Sequence, residues 1–202
     1  LIPKVSIVVL NWNGLQDTLA CLDSLKAVDY AAFDIILVDS GSTDGSPEKL
    51  KDISKQNSKI NLILNTKNLG FSGGANVGIR KALEQRADYV LLLNNDTRVQ
   101  PSFLTHLVRA AINNPKIGIV GPKVYFDNRD RVLYCAGGRV IKVLGQPLMR
   151  GLGRIDRGQY DRQKTVGFIS GCCLMIKREV IEKIGLLDED YFAFFEDLDW
   201  NI

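Results

Sequence analysis

The stretch "ADYVLLLNNDTRVQPS", residues 87–102, decides the fold. Tyr89 to Leu93 is an unbroken apolar run that stops at Asn94, Asn95 and Asp96. A strand with one wet face alternates apolar and polar side chains, so a run without alternation reads as a strand covered on both faces. Its polar end then falls where the chain leaves the sheet. Pro101 follows, and beyond it Leu104, Leu107, Val108 and Ala111 recur at helical spacing.

Three more runs of the same kind precede it: "VSIVVL" ending at Asn11, "FDIILV" ending at Asp39, and "INLIL" ending at Asn65. Helical patterns separate them. Leu15, Leu19, Leu22 and Leu25 share one face, "SPEKLKDI" offers Ser46 as a cap with Pro47 at the first helical position, and "ANVGIRKALEQR" follows Gly74. Strand alternating with helix predicts an α/β fold, a mostly parallel mixed sheet with helices on both faces. In such sheets ligands bind beyond the carboxyl ends of the strands. One polar residue after a strand is an ordinary turn former, which suffices for Asn65; a row of them at several strand ends is a candidate site.

The second half reads as shorter strands and hairpins, "KVYFD", "RVLYCAGGRVIKV" and "VGFISGCCLMI", with Gly137-Gly138 as a turn. "KREVIEKIG" is a short helix closed by Gly185, and "LLDEDYFAFFEDLDW" sets acids among aromatics. A single domain over 1–202 is expected, made of two halves, 1–122 and 123–202. The chain starts at Leu1 and stops at Ile202 without a helix stop, so a fragment cut short at its C-terminus is expected.

With 202 residues, 46% of them hydrophobic, the chain can fill one substantial core. A formal net charge of +3 is too small to imply a nucleic acid partner, and none is expected. Basic residues outnumber acids between Lys123 and Lys164. That excess reads as a solvated surface or as attraction to anionic lipid head groups or a phosphorylated substrate. No apolar run is long enough to cross a bilayer, and no signal peptide pattern is present. Cys21, Cys135, Cys172 and Cys173 lack metal or redox spacing, so buried thiols in a reducing cytoplasm are expected. His106, the sole histidine, belongs on the surface of the helix after Pro101. There is no GxGxxG after the first strand and no GxxxxGK[ST], which removes two familiar phosphate sites. What remains is carboxylates and glycine loops, "DSGSTDGS" and "NLGFSGGANVGI", whose glycines would admit a ligand close to the backbone.

In this order, "PKVSIVVLNWNG", "VDSGSTDGS", "NTKNLGFSGGANVGI", "LLLNNDT" and "ISGCCLMIKREVIEKIGLLDEDYFAFFEDLDW" resemble the inverting family 2 glycosyltransferases of the GT-A fold, in their rhamnosyltransferase-like branch. The resemblance covers nearly the whole chain, and implies that 1–122 is the nucleotide-sugar-binding half and 123–202 the acceptor-side half. It implies a nucleoside-diphosphate-sugar donor (dTDP-rhamnose or a UDP-sugar), a glycan or lipid-linked acceptor in cell-surface polysaccharide synthesis, and peripheral association with the inner membrane face. It further implies Mg²⁺ or Mn²⁺ held by Asp96, with Asn94 and Asn95 standing where the family has an acidic DXD, and with Asn95 bonded to ribose or phosphate. Asp39 would read a base N–H, and Leu10 with Trp12 would wall the nucleoside, although Trp12 could equally be structural under a helix. Asn76 would lie under the sugar-diphosphate. Asp197 would be the base, its pKa raised by Phe192, Phe194 and Phe195, with Glu196 orienting the loop. A sugar nucleotidyltransferase and a non-catalytic nucleotide-sugar-binding fragment are the alternatives. "NWNGLQD" lacks the cations that the first of these would need.

Overall fold

A computed structural model describes residues 2–141, 143 and 146–202. β1 (Val5–Asn11), β2 (Phe33–Ser40), β3 (Ile60–Asn65) and β4 (Tyr89–Asn94) are the four expected strands. They alternate with α1 (Leu15–Leu25), α2 (Ser46–Gln56), α3 (Gly70–Glu84) and α4 (Phe103–Asn113). There follow β5 (Ile119–Val120), β6 (Val124–Tyr125), β7 (Leu133–Cys135), β8 (Gly138–Ile141), β9 (Gln146–Met149), β10 (Cys173–Lys177), α5 (Arg178–Ile184) and α6 (Glu196–Trp200). The central sheet runs β3-β2-β1-β4-β10-β5; its first four strands are parallel and β10 joins antiparallel to β4 and β5. The chain therefore has the GT-A fold that its motifs imply.

Alternate residues of the buried strands feed two cores. Val5, Ile7, Val9, Leu37 and Leu91 pack with α1, α2 and α4, whereas Val8, Ile36, Val38, Val90 and Leu92 pack with α3, α5 and α6. This double coverage is why the runs show no polar alternation. His106 lies exposed on α4 as expected.

Several expectations need correction. The cap of α2 is Gly45 at φ 84°, with the amide of Ser46 donating to Asp44 Oδ1, while the buried Ser46 hydroxyl has no hydrogen-bond partner among the described residues. Gly137-Gly138 does not close a hairpin. The chain only bends there, so that β7 pairs with β6 and β8 pairs with β9. The glycines of "NLGFSGGANVGI" are not left open for a ligand either. A Cβ on Gly74 would lie 2.5 Å from Leu10 Cδ1, and one on Gly78 would lie 2.4 Å from Val8 Cγ1. One turn apart on α3, the two glycines let the helix settle directly on β1.

Candidate active site

Three strand ends and one helix supply the first part of the site. At the carboxyl edge the Asn11 amide donates to Asp39 Oδ2 at 2.7 Å and to the Ser42 hydroxyl at 3.1 Å. Asn11 Oδ1 accepts from the Thr18 hydroxyl at 2.7 Å, and that hydroxyl accepts from Asn95 Nδ2 at 2.9 Å. The resulting chain of side chains, Asp39–Asn11–Thr18–Asn95, ties together β2, β1, α1 and the end of β4. Asn11, Thr18 and Asp39 are fully buried, so these bonds lie out of water, where an unmade one would cost most.

Asp39 is held from within the protein. Its Oδ1 accepts from the amide of Ser42 at 3.0 Å, its Oδ2 accepts from Asn11, and it has no exposed surface. These bonds fix the loop after β2. Asn76 likewise spends its whole amide group internally: Nδ2 donates to Leu187 O at 2.8 Å and Glu189 Oε1 at 3.0 Å, and Oδ1 accepts from Leu187 N at 3.0 Å. It clamps the acidic loop to α3, both amide hydrogens being used within the protein. Arg80 and Asn76 together hold the Glu189 carboxyl below its usual pKa, the Asn76 bond contributing most.

Trp12, in contrast, is 55% exposed, which excludes a structural place under a helix. Leu10 beside it is half-buried against α3. Asp96 is exposed at the end of β4, and no ion pair among the described residues involves it. No group of three or more His, Cys, Asp or Glu able to hold a metal occurs among the described residues. That donor set does not fit a closed protein cage. It fits a hard cation held by one carboxylate with substrate oxygens and water completing the shell.

The second part comes from the other end of the chain. Phe194 and Phe195 both have left-handed backbones, φ 74° and 72°, and turn the chain sharply into α6. Such a conformation costs a non-glycine residue about 1–2 kcal/mol, and strain of this kind gathers at functional sites. The turn faces Asp197 toward the loop before β10, where Gly171 N donates to Asp197 Oδ2 at 2.6 Å. No donor among the described residues occupies Oδ1. The aromatic side chains do not enclose this carboxylate: Phe192, Phe194 and Phe195 are all exposed, Phe194 by 79%. The carboxyl that burial pushes up is that of Glu196, with the charge of Asp197 adding to the effect.

One loop touches both parts. Cys172 O accepts from Asn94 N at 3.0 Å, one residue after Gly171 has bonded Asp197. Burial raises the Cys172 thiol most; the Ser170 hydroxyl opposes this, and the Asp197 and Asp96 carboxylates add to the rise. Tyr134 on β7 is pushed up by burial first, and then by Cys172, Cys135, Asp197 and Asp96. The Gly171–Cys172 loop thus joins the helix that carries Asp197 to the strand end that leads to Asp96. The motifs gave no signal for Tyr134 or Thr18, whose places depend on packing between distant segments.

The profile of Glycosyl transferase family 2 matches residues 6–185. The chain belongs to this family. The dTDP-rhamnosyl transferase RfbF of Shigella flexneri is 28% identical over 98% of this chain and 62% of its own length. The N-acetylglucosaminyl-diphospho-decaprenol L-rhamnosyltransferase of Mycobacterium tuberculosis is also 28% identical, over 98% of this chain and 68% of its own. This family 2 chain thus spans about two thirds of the length of those relatives. Among solved structures, the mannosyltransferase PcManGT of Pyrobaculum calidifontis, in complex with GDP-Man and Mn²⁺, superposes with a TM-score of 0.71 at 20% identity. That match covers 99% of this chain and 51% of the other. GalNAc-T7 with UDP, GalNAc and Mn²⁺ gives 0.74 at 18% identity, over 99% and 40%. At these identities the likeness concerns the fold.

Proposed function

We propose that this chain is the donor- and base-bearing part of an inverting glycosyltransferase. It moves a sugar from a nucleoside-diphosphate-sugar, dTDP-rhamnose or a UDP-sugar, to a hydroxyl of a glycan or lipid-linked acceptor in cell-surface polysaccharide synthesis. Residues 1–122 serve the donor and 123–202 the acceptor side of one domain, working in the cytoplasm at the inner membrane face. The observation that carries this reading is the Gly171–Cys172 loop, which bonds Asp197 through Gly171 N and, through Cys172 O, the end of β4 that leads to Asp96. Inversion asks for a base on the face opposite the leaving group and, for a diphosphate leaving group, no general acid.

Asp197 Oδ1 takes the proton of the acceptor hydroxyl as that oxygen bonds the anomeric carbon. The electron pair of the breaking C–O bond departs with the nucleoside diphosphate. Gly171 N, bonded to the other carboxylate oxygen, holds Asp197 in place while this happens. Asp96, with the donor's phosphate oxygens, would hold Mg²⁺ or Mn²⁺, which supplies neutralisation of the charge gathering on the leaving group. Asn95 keeps one amide hydrogen and its carbonyl for ribose or phosphate, since Thr18 takes the other hydrogen. Trp12 presents its open indole face to the nucleoside beside Leu10. Asp39 and Asn76 act here as positioning residues.

Incubation with Mn²⁺, a panel of nucleotide sugars and an acceptor glycan tests this. Release of nucleoside diphosphate together with a glycosylated acceptor is expected. Release of pyrophosphate instead would make the chain a nucleotidyltransferase, and metal-dependent binding without turnover would make it a binding fragment.

A further inference from the structure

The hydrogen bonds that run from Asp39 to Asn95 have a fixed direction. Both amide hydrogens of Asn11 are taken, one by the Asp39 carboxylate at 2.7 Å and one by the Ser42 hydroxyl oxygen at 3.1 Å. A carboxylate only accepts, so the Asn11 amide cannot turn over, and its Oδ1 faces Thr18. The single hydroxyl hydrogen of Thr18 goes to that oxygen at 2.7 Å. Thr18 Oγ1 is left able only to accept, and it accepts an amide hydrogen of Asn95 at 2.9 Å. Asp39, Asn11 and Thr18 have no exposed surface, so no water stands ready to repair a bond reversed in place.

The two ends of the Asn95 side chain consequently differ. Nδ2 is turned inward to Thr18, while Oδ1 meets no donor among the described residues and is not closed off from water. Gly14, the cap of α1, makes the inward turn possible. A Cβ there would lie 2.8 Å from Asn95 Nδ2, whereas its next neighbours, Asn11 Oδ1 and Trp12 O, stand at ordinary contact distances of 3.5 and 3.7 Å. The φ of Gly14 is −128°, which demands no glycine, so the missing side chain serves to make room. An acceptor on α1 and a space at its cap thus converge on one amide.

We propose that Thr18 and Gly14 are positioning residues for the donor: they seat Asn95 so that its carbonyl oxygen faces outward as an acceptor for a hydroxyl of the donor's ribose. This rests on the donor reading above, and adds which atom of Asn95 is used and what holds it. Phosphate oxygens only accept, so they are no partners for that atom. An amide free to turn would have to be ordered by each incoming nucleotide, and a seated one is ordered beforehand.

The test is calorimetry of uridine diphosphate with Mn²⁺, without acceptor. Thr18→Val keeps the shape and deletes the hydroxyl; affinity should fall about tenfold, the order of one hydrogen bond. Thr18→Ser restores the hydroxyl and should bind as the parent does. Gly14→Ala should also cost about tenfold, with little change in the thermal transition, because the atom its Cβ meets is the tip of a flexible side chain. In an Asn95→Ala background neither substitution should lower affinity further, since both act through a side chain already removed. The diphosphate of 2′,3′-dideoxyuridine should feel neither substitution. Equal losses with and without Asn95 would mark a merely structural role and overturn the proposal, as would parental affinity in Thr18→Val or a tenfold loss kept by the dideoxy compound. Should Thr18→Val fail to fold, the cycle of Gly14→Ala with Asn95→Ala decides alone. A parent chain that does not bind uridine diphosphate, nor thymidine diphosphate in its place, overturns the donor reading and the proposal with it.

Discussion

The side chain of Asn76 and the backbone of Leu187 exchange two hydrogen bonds, Nδ2 to Leu187 O at 2.8 Å and Leu187 N to Oδ1 at 3.0 Å, across 111 residues of sequence. Both groups are buried. Asn76→Ala would leave a buried N–H and C=O unsatisfied, and each costs about 1–3 kcal/mol. A loss of about 3 kcal/mol in urea unfolding is expected. A loss under about 0.5 kcal/mol would show that the clamp is dispensable.

Asp197→Asn preserves the shape at α6, because an amide oxygen can still accept from Gly171. It removes the basic oxygen. Transfer should fall by about 10²–10⁴ in kcat while the donor KM stays within about twofold. Turnover at the parental rate would remove Asp197 from the role of base.

Asp96→Ala deletes the one carboxylate at the end of β4. Calorimetry of nucleoside diphosphate with Mn²⁺ should show an affinity loss of at least about 30-fold, and the metal dependence should vanish with it. The residue is exposed, so the thermal transition should move little. Equal affinity with and without the carboxylate would refute the assignment.

Gly78→Ala sets two effects against each other. Alanine in a helix is worth about 1 kcal/mol over glycine, whereas the added Cβ would meet Val8 Cγ1 at 2.4 Å, an overpacking that costs about 1–3 kcal/mol. The clash should win by about 1 kcal/mol, a fall of about 2–4 °C in Tm. Adding Val8→Ala should relieve the clash, so that the double variant is more stable than the two single losses summed. Simple additivity would show that the helix shifts to make room.

Glu196 gives the chain a pH dependence of definite sign. Burial raises its folded pKa above 4.5, so its contribution is fully present below pH 4.5 and is lost as pH rises through the folded value. Glu196→Gln carries no charge at any pH. It should melt above the parent at pH 7 and converge with it near pH 4. A constant offset between the two pH values would mean that the carboxyl is not penalised by burial.

The buried parallel strands and their helices were legible because each carries its own signal: a short apolar run without alternation, then a 3.6-residue stripe. Asp96 and Trp12 stand open at strand ends, where the sequence also places them. The internal bonds of Asp39 and Asn76 were not legible, since a buried polar residue and a ligand-facing one look the same in sequence until their partners are known. Asn11 for the first and Leu187 for the second come from distant segments that only folding brings near. The glycines of α3 misled for a related reason: a helix lying close on a strand and a loop lying close on a phosphate both ask for a missing Cβ. The pairing of β8 with β9, and the insertion of β10, depend on contacts that no local pattern encodes.

The position of β10 bears on how the protein is made. It lies between β4 and β5, both of which leave the ribosome well before it. Until residue 177 has emerged, β4 has one ladder of amides and carbonyls without a mate, on a strand whose side chains are almost wholly apolar. Such a margin invites association with other nascent chains. A product ending near Pro122 would keep that bare margin for its lifetime, and is expected to precipitate on expression where the 202-residue chain stays dispersed.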